Sequence, residues 1–309
     1  MIRFIGLRVL QAVPVLVGST FVIYALVFAL PGDPIVALFG DRTPNPAVAA
    51  RLREQYHLDQ PFIIQYLHYL GGVVRGDFGT SFTGEPVADI LARTFPVTLR
   101  LAALALVLEI TVGVTLGLVS GLRAGGPFDA SVLVLSLLVI SVPVFVLALV
   151  AQDVFGVWLG WTRPTVGQGA PIQDLLLPAA ALAAIGAAEI VRVTRATVAD
   201  TARMDFVRFA AAKGMSRGHV ARVHVLRNSL IPVVTLLGTN FGTMLAGATV
   251  VEGVFNVPGV GRTLYQAIIR GEGPTVVSLV TVMVVVYLVV GLVVDLLYAV
   301  LDPRIRHAS

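Results

Sequence analysis

Long apolar runs constrain this chain more strongly than any other feature of its sequence. Six of them, each about twenty residues long, recur from one end of the chain to the other. A helix of that length crosses a bilayer hydrocarbon core of roughly 30 Å and satisfies its own backbone polar groups. The predicted spans are residues 9–30, 98–121, 130–151, 174–193, 229–251 and 276–301. The sequence therefore predicts an all-α integral membrane protein with six transmembrane helices.

The composition excludes several other classes of protein. Hydrophobic residues make up 57% of the 309 positions and charged residues only 13%, whereas a soluble domain carries about 25% charged residues. The net charge of +4 does not indicate nucleic-acid binding, because the basic residues lie between the apolar runs. The absence of cysteine excludes disulfides and thiolate metal sites. Lys213, the only lysine, has no glycine before it and cannot belong to a Walker A loop, so any ATP must be bound by another subunit.

The basic residues also predict the orientation in the membrane. Thirteen of them lie in the short segments on the side of the two termini, against three in the short loops opposite. Because short cytoplasmic segments are enriched in lysine and arginine, both termini are predicted to be cytoplasmic. A cleaved signal peptide is the alternative for the first run, but its apolar length and the lack of a small-x-small site favour an uncleaved span.

The largest polar region, residues 31–97, follows the first predicted span. It begins with Pro31-Gly32-Asp33-Pro34, which ends that span, and contains two predicted short helices, Arg51–Tyr56 and Phe62–Val74. A pure linker of this length would be richer in glycine and serine, so we predict a small folded external cap. The predicted segments are the tail and first helix at 1–30, the cap at 31–97 and a five-helix core at 98–309.

A basic segment at residues 201–228 separates the fourth and fifth spans. The stretch from Phe206 to Pro232, which begins within this segment, contains no acidic residue. Gly214 permits a backbone reversal and Ser216 is a favourable N-cap, so we predict a helix, a tight turn and a second helix. The topology places this segment in the cytoplasm, within reach of an ATPase. A solvated basic loop that merely obeys the positive-inside rule is the alternative.

Three positions inside the predicted spans are candidates for a substrate path. Glu109 is costly if it faces lipid, so it should face protein or water, either in a functional role or as a paired structural carboxylate. Asn240 either contacts the substrate or hydrogen-bonds a neighbouring helix, and the sequence leaves both possibilities open. Pro143 is expected to kink or break the third span, with or without lining a pathway.

Small residues predict where helices pack closely. Residues four apart lie on one helix face, and a face of small side chains lets another helix approach. Such faces comprise Gly113, Gly117 and Gly121 in the second span and Gly238, Gly242 and Ala246 in the fifth. The fourth span is rich in alanine, which indicates packing inside a bundle. Glu189 and Arg192 at its cytoplasmic end are three apart and can pair.

A turn-rich element, EGVFNVPGVGR, follows the fifth span. Its glycines and proline favour a tightly turned or re-entrant loop at the outer mouth. At that depth such a backbone is tolerated only where protein covers it or a cavity adjoins it. The candidate residues of this loop are Glu252, Phe255, Pro258, Gly259 and Gly261.

Several motifs, in order along the chain, resemble one family of transporters. The basic segment reads AAKG, then HVLRN and LIP, and the chain also contains LPGDP, HLDQP, GDFGTS, EGVFNVPGVG and LDPR. This pattern resembles the permeases of bacterial ABC importers, and in particular their dipeptide/oligopeptide/nickel branch. It departs from the wider importer signature at Arg208, where that signature has an acidic residue. The resemblance implies a type I ABC importer permease fold with a coupling helix between helices 4 and 5. The implied ATPase-coupling residues are Arg208, Ala211, Ala212, Lys213, Gly214, Met215 and Ser216.

The resemblance also implies a function and a set of partners. The chain would be a permease subunit of an ATP-driven importer for dipeptides or short oligopeptides in the lipid of the bacterial inner membrane. A second homologous permease, an external substrate-binding protein and two P-loop ATPase subunits (or one fused) would complete the transporter. The ATPases would bind ATP and Mg²⁺. For this chain the resemblance implies no cofactor, no metal, no nucleic-acid partner and no enzymatic activity.

Three alternatives remain at this point. A nickel or metal-chelate permease of the same branch shares the motifs, although the histidines show no metal-ligand spacing. These histidines are His57, His68, His219, His224 and His307. A stand-alone secondary transporter predicts an inverted repeat with broken helices, and the sequence contains no convincing repeat. A membrane-embedded enzyme predicts a nucleophile–base pair or a metal motif, and neither is found.

Overall fold

The computed structural model describes residues 2–29, 46–55 and 59–301. Within these ranges the regular secondary structure is helical, apart from one isolated antiparallel bridge between Thr80 and Pro86. The all-α prediction is therefore confirmed for the described residues. Three parts of the motif pattern lie outside them: Leu30–Pro34, His57–Leu58 and Asp302–Arg304. His307 also lies outside.

Twelve α-helices can be assigned in the described part of the chain, and two π-helical stretches adjoin them. Their bounds are α1 Ile2–Phe28, α2 Pro46–Gln55, α3 Phe62–Val74, α4 Val87–Leu122, α5 Pro127–Ser141, α6 Val144–Ala151, α7 Ile172–Thr201, α8 Asp205–Ala212, α9 Arg217–His219, α10 Arg227–Phe255, α11 Val260–Ile269 and α12 Gly273–Leu301. The π-helical stretches are Gln152–Trp158 after α6 and Val220–Leu226 before α10.

Five helical segments are long and apolar enough to cross a membrane on their own. They are Gly6–Phe28, Val87–Leu122, Ile172–Thr201, Arg217–Gly238 and Gly273–Val293. Two further pairs qualify only when both helices of a pair are taken together. These pairs are Pro127–Ser141 with Val144–Trp158, and Gly242–Phe255 with Val260–Ile269. The described residues thus contain between five and seven candidate spans, and the count of six stays a prediction.

Proline acts differently at two places in the predicted spans. The third span is broken as expected, because Val142 is extended (φ −101°, ψ 129°) in front of Pro143 and the two halves meet at 105°. The second span instead starts at Val87 rather than Thr98, since α4 continues through Pro96. Membrane helices tolerate such a proline where neighbouring groups satisfy the freed carbonyl.

The contacts divide the chain into two compact units. One contains the residues up to Val97 together with those from Gly259 onward, and the other runs from Thr98 to Pro258. This grouping differs from the predicted segments 31–97 and 98–309, because α12 packs along α1 in the first unit. The predicted segments stay a prediction about the organisation of the protein.

An aromatic cluster joins α1, α3 and α12 in the first unit. Tyr66 donates a 2.9 Å hydrogen bond to the carbonyl of Val17, and its hydroxyl lies 3.0 Å from that of Thr20. Tyr69 donates a 2.6 Å bond to the hydroxyl of Thr281. The remaining members of the cluster are Phe21, Tyr24, Phe28 and Phe62. The predicted helix Phe62–Val74 is therefore a packed element and not part of a linker.

Close packing of α4 against α7 organises the second unit. A Cβ placed on Gly117 would lie 2.6 Å from Cβ of Thr194, and one on Gly121 would lie 2.7 Å from Cβ of Val198. A Cβ on Gly113 would lie 2.5 Å from Cγ2 of Ile190. The predicted glycine face is therefore confirmed, because no larger residue would fit at this contact. The alanine-rich helix α7 is also the most buried of the five spans, as predicted.

The predicted small-residue face of the fifth span is only partly correct. Ala246 is exposed, whereas Ala248 is buried and a Cβ on Gly247 would lie 3.2 Å from Leu182. The packed face of α10 is thus rotated with respect to the predicted one. Small residues occur on several faces of this helix, so spacing alone could not identify the buried one.

A buried ion pair fixes the turn between α4 and α5 to α7. Asp129 accepts from Nε and Nη2 of Arg195, at 2.9 and 2.5 Å, and its side chain is 3% exposed. The hydroxyl of Ser120 and the backbone N–H of Gly125 also donate to this carboxylate, at 2.6 and 2.8 Å. In the sequence, Arg195 is one of the thirteen basic residues on the side of the termini, and nothing nearby marks Asp129 as its partner. The two residues are 66 positions apart, so no local spacing indicated the pair.

Candidate functional site

The basic segment between α7 and α10 folds into two helical pieces around a sharp turn. α8 ends at Ala212, and Gly214 follows in the left-handed region with φ +83°. Ser216 then caps α9, since its hydroxyl accepts from the backbone N–H of His219 at 3.4 Å. The backbone follows the predicted helix, turn and helix. Its coupling role stays a prediction.

One face of this segment packs on the protein and the other is open. Val207 and Ala210 of α8 are buried in an apolar cluster with Val198, Val220 and Val225. The seven predicted coupling residues, Arg208, Ala211, Ala212, Lys213, Gly214, Met215 and Ser216, are all exposed. One side of α8 is therefore packed on the protein, and its other side is exposed and open to a partner.

The open face carries large apolar side chains as well as cations. Phe209 is 70% exposed, and Met204, Phe206 and Met215 are also exposed. Arg208 lies 4.0 Å from Asp205, but both side chains are solvent-exposed and this pair contributes little. Phe206 and Phe209 were not among the predicted coupling residues. The two phenylalanines are three positions apart and therefore share one helix face, while Val207 and Ala210 share a different, buried one. This spacing in the sequence could have predicted the exposed apolar face.

The substrate-path candidates Glu109 and Asn240 lie together in the second unit. Asn240 Nδ2 donates to Oε1 of Glu109 at 3.3 Å and to Oε2 of Glu189 at 3.0 Å. Glu109 is 1% exposed, and its carboxylate packs directly over Gly186, where no Cβ could fit. One side-chain amide therefore bridges carboxylates from α4 and α7. Glu109 thus has a hydrogen-bond partner on a neighbouring helix, as a structural carboxylate would.

These three side chains adjoin a cavity of about 150 Å³. Val144, the residue after Pro143, lines this cavity, whereas Pro143 itself is exposed and does not. The predicted pairing of Glu189 with Arg192 is wrong, since no ion pair joins them in the described part of the chain. Glu189 turns to Asn240 instead, across the contact between α7 and α10.

The outer-mouth element is tightly fixed within the second unit up to Pro258. Glu252 and Phe255 are completely buried. Glu252 accepts a 2.6 Å hydrogen bond from the hydroxyl of Thr98, and the Phe255 carbonyl accepts from the Val166 N–H at 2.8 Å. This part of the element is therefore covered by protein rather than exposed as a loop.

The turn in this element does not use its glycines as expected. α10 ends at Phe255, and Asn256 adopts the left-handed conformation with φ 56°. Gly259 is extended at the N-cap of α11, and Gly261 is buried in the first turn of that helix. Asparagine tolerates the left-handed region through its short polar side chain, so it can serve as the helix C-cap here.

Ligands for a metal ion are not assembled in the part of the chain that the structure describes. No group of three or more histidine, cysteine, aspartate or glutamate side chains is placed to hold one there. The rings of His219 and His224 lie 6.3 Å apart beside the turn of the basic segment. The polar groups around Asn240 are instead the two carboxylates that its amide joins, with the hydroxyl of Thr243 beside them.

Comparison with protein families decides which class of protein carries this geometry. Residues 113–307 match the family model described as the binding-protein-dependent transport system inner membrane component. Residues 1–102 match the model for the N-terminal part of such membrane components. The chain belongs to this family. It is therefore a multi-pass permease component of an inner-membrane transport system.

Curated relatives match the chain over nearly its whole length. A di/tripeptide transport system permease protein from Pseudomonas aeruginosa is 36% identical, covering 99% of both chains. A dipeptide transport system permease protein from Escherichia coli K12 is 35% identical, again over 99% of both. A putative peptide transport system permease protein from Brucella abortus is 35% identical over 97% of this chain and 98% of its own length. The similarity to the dipeptide/oligopeptide branch is thereby confirmed.

Proposed function

We propose that this chain is the transmembrane permease subunit of an ATP-driven ABC importer for dipeptides or short oligopeptides. Family membership and the peptide-permease names of its full-length relatives support this. The observation that carries the proposal is the exposed face of the basic segment, which presents Phe209 and Lys213 around a turn at Gly214. A solvated loop would not need large apolar side chains on its open face.

The coupling segment is the proposed contact for the ATPases. Its seven residues, Arg208, Ala211, Ala212, Lys213, Gly214, Met215 and Ser216, together with Phe206 and Phe209, form the docking face. The inward face of α8 packs on the end of α7 and on the π-helical stretch Val220–Leu226, which leads directly into α10. Movement of a docked ATPase would therefore be transmitted to both helices, which also carry Glu189 and Asn240.

The remaining assignments follow from the same proposal. The chain spans the inner membrane six times with both termini in the cytoplasm, and residues 31–97 form an external cap that meets a substrate-binding protein. A second homologous permease completes the translocation path. Two P-loop ATPase subunits, or one fused, bind ATP and Mg²⁺. Glu109, Asn240 and Val144 after Pro143 lie on the path, and the element from Glu252 to Gly261 lies at its outer mouth.

Purification of the tagged chain in mild detergent, followed by mass spectrometry, tests the proposal. A sister permease and one or two P-loop ATPases should be recovered with the chain. Recovery of the chain alone across several detergents would instead favour a stand-alone transporter.

A variant of the exposed face makes the same experiment specific. Phe209→Ala should reduce the recovered ATPase by about tenfold, because exposed aromatic anchors contribute most to such interfaces. Tyr265→Ala is the matched control, since Tyr265 is 55% exposed and is predicted to lie on the opposite side of the membrane. Equal ATPase recovery with both variants would contradict the docking face.

A further inference from the structure

Two carboxylates of the second unit share one hydrogen-bond donor. Glu109 on α4 and Glu189 on α7 both accept from the side-chain amide of Asn240 on α10. An ionised carboxylate has about four acceptor positions, whereas an amide group supplies two N–H donors. Most of the acceptor capacity of this pair is therefore not used by Asn240.

No cation balances these carboxylates at the cavity they adjoin. Its lining consists of Glu109, Glu189, Asn240 and Thr243, with apolar residues and glycines for the remainder, and contains no lysine, arginine or histidine among the described residues. Uncompensated negative charge at membrane depth is costly. A positively charged ligand would lower that cost.

The nearest arginines do not supply the missing charge. Arg195 is engaged by Asp129 in a bidentate ion pair. Arg192 lines a different cavity of about 570 Å³, whose wall Glu189 and Arg195 also form, and makes no ion pair with Glu189 in the described part of the chain. The 150 Å³ cavity thus has an excess of acceptors on its wall.

The volume of this cavity and the number of acceptor oxygens on its wall limit which cations it can bind. A cavity of roughly 150 Å³ admits a benzene-sized group but not an oligopeptide. An ammonium group has three N–H donors, and the wall offers four oxygen-bearing side chains, those of Glu109, Glu189, Asn240 and Thr243. Two carboxylates are too few ligands for a dedicated site for a hard metal ion such as Ca²⁺, which takes six to eight oxygens.

We infer that this cavity binds the α-ammonium group of the transported peptide, with Glu109 and Glu189 as acceptors and Asn240 holding both carboxylates in place. This inference rests on the proposed peptide transport. It further implies that the rest of the peptide lies outside the cavity, so that the site recognises the amino terminus and not the side chains.

Direct binding to the purified permease–ATPase complex without its binding protein tests this inference. The probes are Ala-Ala and N-acetyl-Ala-Ala, which differ in the presence of the ammonium group, and binding is followed by the shift in thermal unfolding of the complex. Ala-Ala should stabilise the wild-type complex, and the acetylated peptide should not. Glu109→Gln and Glu189→Gln should each weaken Ala-Ala binding by about tenfold or more. The exposed Glu54→Gln should leave it unchanged.

The wild-type comparison keeps the test valid if a variant does not assemble. Equal binding of the two probes to the wild type, binding of neither, or unchanged Ala-Ala binding in both glutamine variants would overturn the inference. The proposed function is tested separately by uptake of Ala-Ala with the loaded binding protein present. If the binding test fails while Ala-Ala is still taken up, only the inference about the ammonium site is refuted. If the wild-type transporter takes up no peptide at all, the proposed function is refuted.

Discussion

The hydroxyl of Thr98 donates a 2.6 Å hydrogen bond to Oε1 of Glu252, joining residues that are 154 positions apart. Glu252 is completely buried and Thr98 is 5% exposed. The bond connects the early part of the second unit with the end of α10. A buried charge in this position depends on donors supplied from the surrounding structure.

Thr98→Val should destabilise the protein because it removes one of these donors while keeping the shape of the side chain. We expect a loss of about 1–3 kcal/mol in the free energy of unfolding, measured by denaturant titration in detergent. Thr115→Val is the control, since the hydroxyl of Thr115 is exposed and bonds only within its own helix, to Thr111 and Val112. Similar losses in the two variants would contradict a specific role for the Thr98–Glu252 bond.

Gly214→Val should uncouple ATP hydrolysis from uptake. Gly214 has φ +83° and open space around its Cα, so the cost comes from the backbone and not from a clash. The left-handed conformation costs an L-residue roughly 1–2 kcal/mol, and we expect uptake per ATP hydrolysed to fall by roughly fivefold or more. Gly218→Val places the same side chain at a nearby helical glycine with open space and should retain coupling. Equal coupling in the two variants would refute the requirement for this turn.

Gly117→Ala should weaken the packing of α4 against α7. The new methyl group would lie 2.6 Å from Cβ of Thr194 and 2.8 Å from the carbonyl oxygen of Val191, and a backbone atom cannot move aside cheaply. Overpacking of this kind costs typically about 1–3 kcal/mol, observable as a lower midpoint of thermal unfolding. In Gly71→Ala the added Cβ meets nothing within 4 Å, so the midpoint should stay the same or rise slightly. A stable Gly117→Ala protein would show that the two helices can separate without cost.

Asp129→Asn should be the most destabilising of these changes, because it removes the carboxylate charge that the Arg195 guanidinium contacts directly. Breaking a buried pair costs about 3–5 kcal/mol, and we expect the lower end since the Arg195 side chain is 26% exposed. The comparison is Asp205→Asn, which removes the exposed partner of Arg208 and should change the unfolding free energy by about 0.5 kcal/mol or less. If the two variants lower the free energy of unfolding equally, the Asp129–Arg195 pair is no stronger than an exposed surface pair.

Local features of the sequence predicted local features of the structure well. The glycine face at Gly113, Gly117 and Gly121, the break at Pro143 and the turn at Gly214 all depend on a few neighbouring residues and on helix periodicity. Each was found where the sequence indicated. Of these positions, Gly214 also belongs to one of the family motifs, AAKG.

Partners across the fold could not be predicted in the same way. Glu109 was recognised as a residue that must avoid lipid, but nothing in the sequence indicated Asn240 as its donor, 131 positions away. Glu189 was assigned to Arg192 because the two share a helix face, whereas the adjacent α10 offers Asn240 instead. Spacing along one helix predicts which groups can meet, but contacts from a second helix decide which groups do.

The sequence by itself determined that the chain is a helical membrane protein of the importer-permease family. The length of the apolar runs, the distribution of charge and the order of the motifs can all be read from the amino-acid sequence without knowledge of the fold. Only the tertiary structure decided which polar groups are buried together and which side of α8 remains open. The physical reason is that both the cost of burying a carboxylate and the gain from burying an aromatic ring depend on neighbours that are distant in sequence and close in space.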